Sequence, residues 1–194
     1  IIGLGERGPT YADLPLQWMP HIQVADVADS AERAVGRGGR ELMHHRDDRG
    51  RSHWAVLADP AGAAFGIIPV AAPEAIPPGT GRIAWLDLTV ADATGTRDFY
   101  RDVVGWSADD VVMNDASGRY TAYVLRTRAG ASIAGVCHAR GGNEGLPPVW
   151  LICLPVGDLD ESLSRAREEG GEVLDARTGS SGDHAYAVIR DPVG

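Results

Sequence analysis

The tetrapeptide Asp59-Pro60-Ala61-Gly62 returns 132 residues later as Asp191-Pro192-Val193-Gly194, and the stretch before it returns with it. Ile1, Gly3, Leu14-Pro15, Trp18, Val24 and Asp26 meet Ile133, Gly135, Leu146-Pro147, Trp150, Val156 and Asp158. Ser30, Arg33-Ala34, Gly38-Gly39, Leu42, Gly50 and Ala55-Val56 meet Ser162, Arg165-Ala166, Gly170-Gly171, Leu174, Gly182 and Ala187-Val188. Residues 1–62 and 133–194 therefore share 19 identities without a gap. Chance alone matches roughly one position in thirteen at ordinary residue usage. Tryptophan, aspartate and proline recur at fixed offsets, which a shared excess of Ala and Gly does not explain. Such self-similarity marks an architecture built from copies of one unit. The phase of the repeat puts both ends of the sequence inside a copy. The expectation is roughly 50 further residues before Ile1 and about ten after Gly194.

Each copy reads as strand, helix, then more strands. Residues 17–25 are strand-like, and Asp26 is placed to cap a helix by accepting otherwise unpaired backbone N–H groups. Val27, Ala31, Ala34 and Val35 form one apolar stripe at helical spacing. Gly38-Gly39 then stops the helix, because glycine tolerates the left-handed conformation there. Residues 41–46 and 53–58 alternate as strands, Asp59-Pro60-Ala61-Gly62 is a turn, and 63–68 is another strand. The later copy repeats this with a strand at 149–157, Asp158, and a helix whose face carries Leu159, Leu163 and Ala166. A third, related unit lies between them. It has a strand at 82–91, Asp92, a helix around 94–104 with Phe99, Tyr100, Val103 and Val104 on one face, and strands near 109–114, 119–127 and 131–138. A proline-rich linker covers 71–80.

Composition narrows the function classes. The chain has 194 residues, 44% of them apolar and 23% charged, with a net charge of −9 and no lysine. That is the profile of a globular protein with a real core. The acidic balance argues against nucleic acid, which needs a basic face. No apolar run is long enough for a membrane span, and no export signal opens the chain. Cys137 and Cys153 do not make a disulfide framework. The default location is the cytoplasm. No phosphate loop, dinucleotide fingerprint or serine elbow appears in a suitable context.

The spacing Val90-Ala91-Asp92-x6-Phe99-Tyr100-x3-Val104-Gly105-Trp106, with the closing Asp-Pro-x-Gly turns, resembles the vicinal-oxygen-chelate superfamily of glyoxalases, bleomycin-resistance proteins and extradiol dioxygenases. Module-like segments cover 17–68, 82–139 and 148–194. The layout is most similar to tandem two-domain glyoxalase-like proteins. The resemblance implies an α+β fold of βαβββ modules, paired into curled mixed sheets around a cup, with helices outside. On that reading 1–70 is the second half of a first domain, 71–80 the linker, and 81–194 a second domain. An incomplete half-domain exposes a sheet edge, so a missing module or a second chain, as in a homodimer, is expected to cover it.

The resemblance also implies one divalent metal (Fe, Mn, Ni or Zn) in the cup. Its ligands would lie seven residues before each capping aspartate and four after the Gly of the turn. Those positions hold Met19, Trp85, Leu151 and Gly66, none of which binds a hard metal. No metal or other cofactor is therefore predicted, with a divalent metal kept as the alternative.

Period-two alternation selects candidate cup residues instead. Asp87 shares the Trp85 face of its strand, while Leu86, Leu88 and Val90 face the helix. A carboxylate there is suited to general-base chemistry or to a polar ligand group. His21 lies on the same face as Met19 and is the second catalytic candidate, although its repeat partner is Cys153. The predicted ligand-binding set is Trp85, Asp87, Leu151, Cys153, Tyr186, Met19, His21 and Trp54. Against these stand structural readings: a hydrogen-bonded histidine, an aspartate bonded to backbone, and aromatic rings that pack the core. Trp18 and Trp150 suit core packing better than binding. Neighbours His44 and His45 point to opposite faces and read mainly as surface. The sequence favours a small-molecule binder with a metal-free cup. The alternatives are a lyase, isomerase or dioxygenase-like enzyme, and a regulatory or protein-interaction module with a vestigial cup.

Overall fold

In the computed structural model, residues 4–6, 8–71, 82–179 and 184–193 are described. Apart from Ala71, the linker 71–80 lies outside them. The described chain is α+β and separates into two compact units: the described residues up to 71 with 85–153, and residues 82–84 with the described residues from 154 on.

The first unit holds two βαβββ modules. In one, β1 (His21–Val24), α1 (Val27–Gly36), β2 (Arg40–Arg46), β3 (Ser52–Ala58) and β4 (Ala64–Pro69) build a sheet of order β1-β4-β3-β2. In the other, β5 (Trp85–Val90), α2 (Ala93–Val104), β6 (Ser107–Asp115), β7 (Gly118–Arg126) and β8 (Ser132–His138) build β6-β7-β8-β5. The strand β9 (Trp150–Cys153) adds to the free edge of β5, antiparallel, and makes that sheet five-stranded. In both modules the first strand runs parallel to the last, His21 beside Gly66 and Asp87 beside Gly135. The second unit holds α3 (Leu159–Glu168) against a hairpin of β10 (Glu172–Thr178) and β11 (His184–Arg190).

The helices start where their caps are. Asp26, Asp92 and Asp158 each accept an N–H from the residue three ahead, at 2.9 Å in all three cases. The glycine pair after α1 divides two tasks. Gly38 takes the left-handed conformation (φ 84°), whereas Gly39 has no room for a side chain: a Cβ would lie 2.7 Å from the Ala58 carbonyl oxygen. The first glycine turns the chain and the second lets the helix end meet β3.

One face of each sheet is covered by helix. Ile22, Val24, Leu57, Phe65 and Ile67 from one sheet and Leu88, Val90, Leu125 and Val136 from the other join α1 and α2 in a single core. Burying each such side chain stabilises the fold by roughly 1.5–3 kcal/mol. A polar chain runs through this core. The Trp150 indole donates to the Tyr100 hydroxyl (2.9 Å), which donates to Asp59 (3.2 Å). Asp59 also accepts the N–H groups of Ala61 and Ala63, both at 2.9 Å. Burial pushes the Asp59 carboxyl above its ordinary range, and these hydrogen bonds pull it back.

Two expectations are corrected. The strand expected at 17–25 is extended only over His21–Val24, leaving Met19 outside it. Of residues 17–20 only Pro20 reaches the sheet, its carbonyl accepting the Gly66 N–H at 2.9 Å, so no ladder holds 17–19 extended. His44, expected at the surface, has a side chain only 2% exposed, held between Glu41 and Ser52 at 2.8 Å each.

Candidate functional site

The face of each sheet turned away from its helix is the candidate cup. On β5 the alternation sends Leu88 and Val90 into the core and leaves Trp85, Asp87 and Thr89 on the opposite face. Register completes that face. Asp87 lies beside Gly135 of β8 and Leu151 of β9, and the same row continues to Val124 and Asp109. Trp85 pairs with Cys153, and Thr89 with Cys137. The structure thus brings together four of the predicted residues: Trp85, Asp87, Leu151 and Cys153.

The aspartate reaches its position because its neighbour is glycine. A Cβ on Gly135 would lie 2.4 Å from the Asp87 carboxylate oxygen and 3.3 Å from the Trp85 indole nitrogen. The carboxylate therefore rests over the β8 backbone, half-buried. Desolvation pushes its pKa up from 3.8 to about 6, while hydrogen bonds from the Leu88 backbone and the Trp85 indole act the other way. No cation acts on it among the described residues. Burial, and then the Asp87 charge, push the Cys137 thiol up to about 11 and the Cys153 thiol in the same direction. Both stay protonated near neutrality and make poor nucleophiles. Thr89 is 1% exposed, and its hydroxyl has no hydrogen-bond partner among the described residues.

The remaining candidates lie elsewhere. His21 stands five residues before its capping aspartate, as Asp87 and Cys153 do before theirs. It too rests over a glycine: a Cβ on Gly66 would lie 2.4 Å from its ring. His21 is exposed on edge strand β1. Met19 precedes that strand. Trp54 lies on β3 of the same sheet, its ring stacked on His45 with centroids 5.6 Å apart. Tyr186 is on β11 in the second unit, 48% exposed, with the Arg177 guanidinium 5.8 Å from its ring centre.

Gly135, Thr89, Cys137 and Val124 belong to the β5 face but were not singled out by sequence. Glycine inside a strand pattern is the available signal, since it marks a close approach of another group. Knowing which group approaches requires the parallel register of β5 and β8.

The residues do not fit the divalent metal that the resemblance implies. Met19, Trp85, Leu151 and Gly66 occupy the expected ligand positions. Among the described residues, no group of three or more His, Cys, Asp or Glu side chains is placed to hold an ion.

Comparison with known proteins agrees with this architecture. The family described as Glyoxalase/Bleomycin resistance protein/Dioxygenase superfamily matches residues 82–194, and a glyoxalase-like domain family matches 7–68. The protein CFP32 of Mycobacterium tuberculosis, provisionally named a glyoxylase, is 30% identical over 57% of this chain and 41% of its own length. The anthracycline biosynthesis protein DnrV of Streptomyces peucetius is 28% identical over 82% of this chain and 57% of its own. The chain thus spans roughly half the length of these relatives. Glyoxalase I from Zea mays aligns over 90% of this chain and 63% of its own, with 16% identity and a TM-score of 0.50, a likeness of fold. No helix among the described residues is long and apolar enough to cross a membrane.

Proposed function

The chain belongs to the glyoxalase/bleomycin resistance protein/dioxygenase superfamily, and on that premise we propose that the open face of the β5 sheet binds a small organic molecule without the family's divalent metal. The observation that carries this reading is the Asp87 carboxylate lying over Gly135 beside the Trp85 ring. An aromatic wall with one convergent polar group is how small-molecule sites combine apolar burial with direction. Leu151 and Val124 extend the apolar floor, and protonated thiols of Cys137 and Cys153 border it. The two family matches fall on either side of the linker, which supports reading 1–70 and 81–194 as parts of tandem domains.

Metal analysis tests the reading. Protein incubated with Fe, Mn, Ni or Zn and then desalted is expected to retain well under one equivalent. A stoichiometric metal that is lost in Asp87→Ala would overturn it. A second reading, enzymatic, is favoured by one fact: a carboxyl with a pKa of about 6 is suited to take a proton near neutrality. In that case Asp87 is the base of a lyase-, isomerase- or dioxygenase-like reaction.

A further inference from the structure

The chemistry of the β5 face also specifies what kind of molecule it takes. We infer that the cup beside Asp87 selects a small aromatic molecule carrying a protonated amine, which sits against Trp85 and pairs with the carboxylate. This rests on the reading of that face as a ligand cup.

Two neutral donors, the Trp85 indole and the Leu88 backbone, already serve Asp87. What the carboxylate lacks among the described residues is a countercharge. Among the described residues, the groups that face it are Cys137 on β8, Cys153 on β9 and Leu151, none of them cationic. The flanking strands β8 and β9 carry no Arg, and Arg126 of β7, one strand further out, is engaged with Asp109 and the Gly130 carbonyl. A desolvated anion without a countercharge is costly, and a cation brought by the ligand offsets that cost. Trp85, next but one on the same strand, offers the ring face on which cations are stabilised. Thr89, buried on the same side, has a hydroxyl without a hydrogen-bond partner among the described residues. The net charge of −9 attracts cations and repels acids. A carboxylate-bearing ligand meets the opposite of each of these terms.

Three probes of one shape test the inference: phenethylamine, 2-phenylethanol and 3-phenylpropionate, titrated into the intact protein at about pH 7.5 and followed by tryptophan fluorescence and thermal shift. The amine is expected to bind at least about tenfold more tightly than the alcohol, a difference of about 1.4 kcal/mol, and the acid most weakly. In Asp87→Asn the amine should fall to within about threefold of the alcohol, whose own affinity stays nearly constant. Trp85→Ala should weaken both. If the alcohol or the acid matches the amine and Trp85→Ala still weakens them, the cup stands and the amine preference falls. An amine preference that survives Asp87→Asn also overturns the inference, because the cation then binds elsewhere. If none of the three binds, the cup reading fails with it.

Discussion

The first strands of the two βαβββ modules hold the same arrangement and put it to different use. In each, a polar side chain five residues before the helix cap lies over a glycine of the parallel last strand. On β5 the side chain is Asp87, enclosed between β8 and β9. On β1 it is His21, with β4 on one side and no strand on the other among the described residues. The enclosed residue is half-buried and its carboxyl is pushed up to about 6 by desolvation, while the edge residue is exposed. The repeated tryptophan follows the same rule. Trp150, on the strand that covers β5, is 1% exposed and hydrogen-bonded to Tyr100, whereas Trp18 is 40% exposed. Matching residues in matching copies thus acquire different chemistry from whether a strand lies beside them.

The largest expected effect tests this at the tryptophans. Trp150→Ala removes a fully buried ring and leaves the Tyr100 hydroxyl without its donor, which should cost about 3–5 kcal/mol. Trp18→Ala, at the same place in the repeat, should cost less than about 1 kcal/mol. Urea unfolding of the two variants measures the difference. Equal losses would mean that Trp18 is as enclosed as its partner.

These two residues also show how far the sequence could be read. The repeat identified Trp18 and Trp150 as equivalent, and the caps at Asp26, Asp92 and Asp158 located all three helices, because both signals are local. Capping acts over three residues, and helical stripes recur within a turn or two. The alternation on β5 likewise put Trp85 and Asp87 on one face and Leu88 and Val90 on the other. What the alternation does not contain is the neighbour across the ladder. The glycine beneath Asp87 is 48 residues away and the one beneath His21 is 45 away. The Asp59–Tyr100–Trp150 chain joins residues 41 and 50 positions apart. The strand expected at 17–25 shortened for the same reason: its residues favour extension, but only those from Pro20 to Val24 find a partner in β4.

The next effect concerns acid. The Asp87 carboxyl is raised from 3.8 to about 6, so the folded protein binds that proton more tightly than the unfolded chain. The stability this contributes is fully present below the unfolded pKa and is lost as pH rises through about 6. At about 1.4 kcal/mol per unit, and allowing for partial exposure, the loss is on the order of 2–3 kcal/mol. Asp87→Asn keeps the shape and removes the titration. It should be more stable than the unmodified protein at about pH 8, and the gap should close toward about pH 4. Taking the difference between the two proteins cancels the contribution of Asp59, which is also raised. A gap that stays constant with pH would show that Asp87 is not desolvated, and the distinction between β5 and β1 would lose its basis.

The smallest effect separates the two strands most directly. A methyl group on either glycine makes the same clash, 2.4 Å from the carboxylate oxygen at Gly135 and 2.4 Å from the imidazole ring at Gly66. The outcomes should differ because the exits differ. His21 is exposed on an edge strand and can swing into solvent. Gly66→Ala should therefore change stability by less than about 0.5 kcal/mol, and the strand's preference for Ala over Gly can even make it favourable. Asp87 has β8 on one side, β9 on the other and Trp85 above, so the chain must shift to admit the methyl. Gly135→Ala should cost about 1–2 kcal/mol. A double-mutant cycle assigns the cause: with Asp87 first cut back to Ala, the Gly135→Ala penalty should largely vanish, whereas the corresponding cycle of Gly66 with His21 should show almost no coupling. If both cycles couple equally, β1 is as enclosed as β5, and the two copies carry one kind of site rather than two.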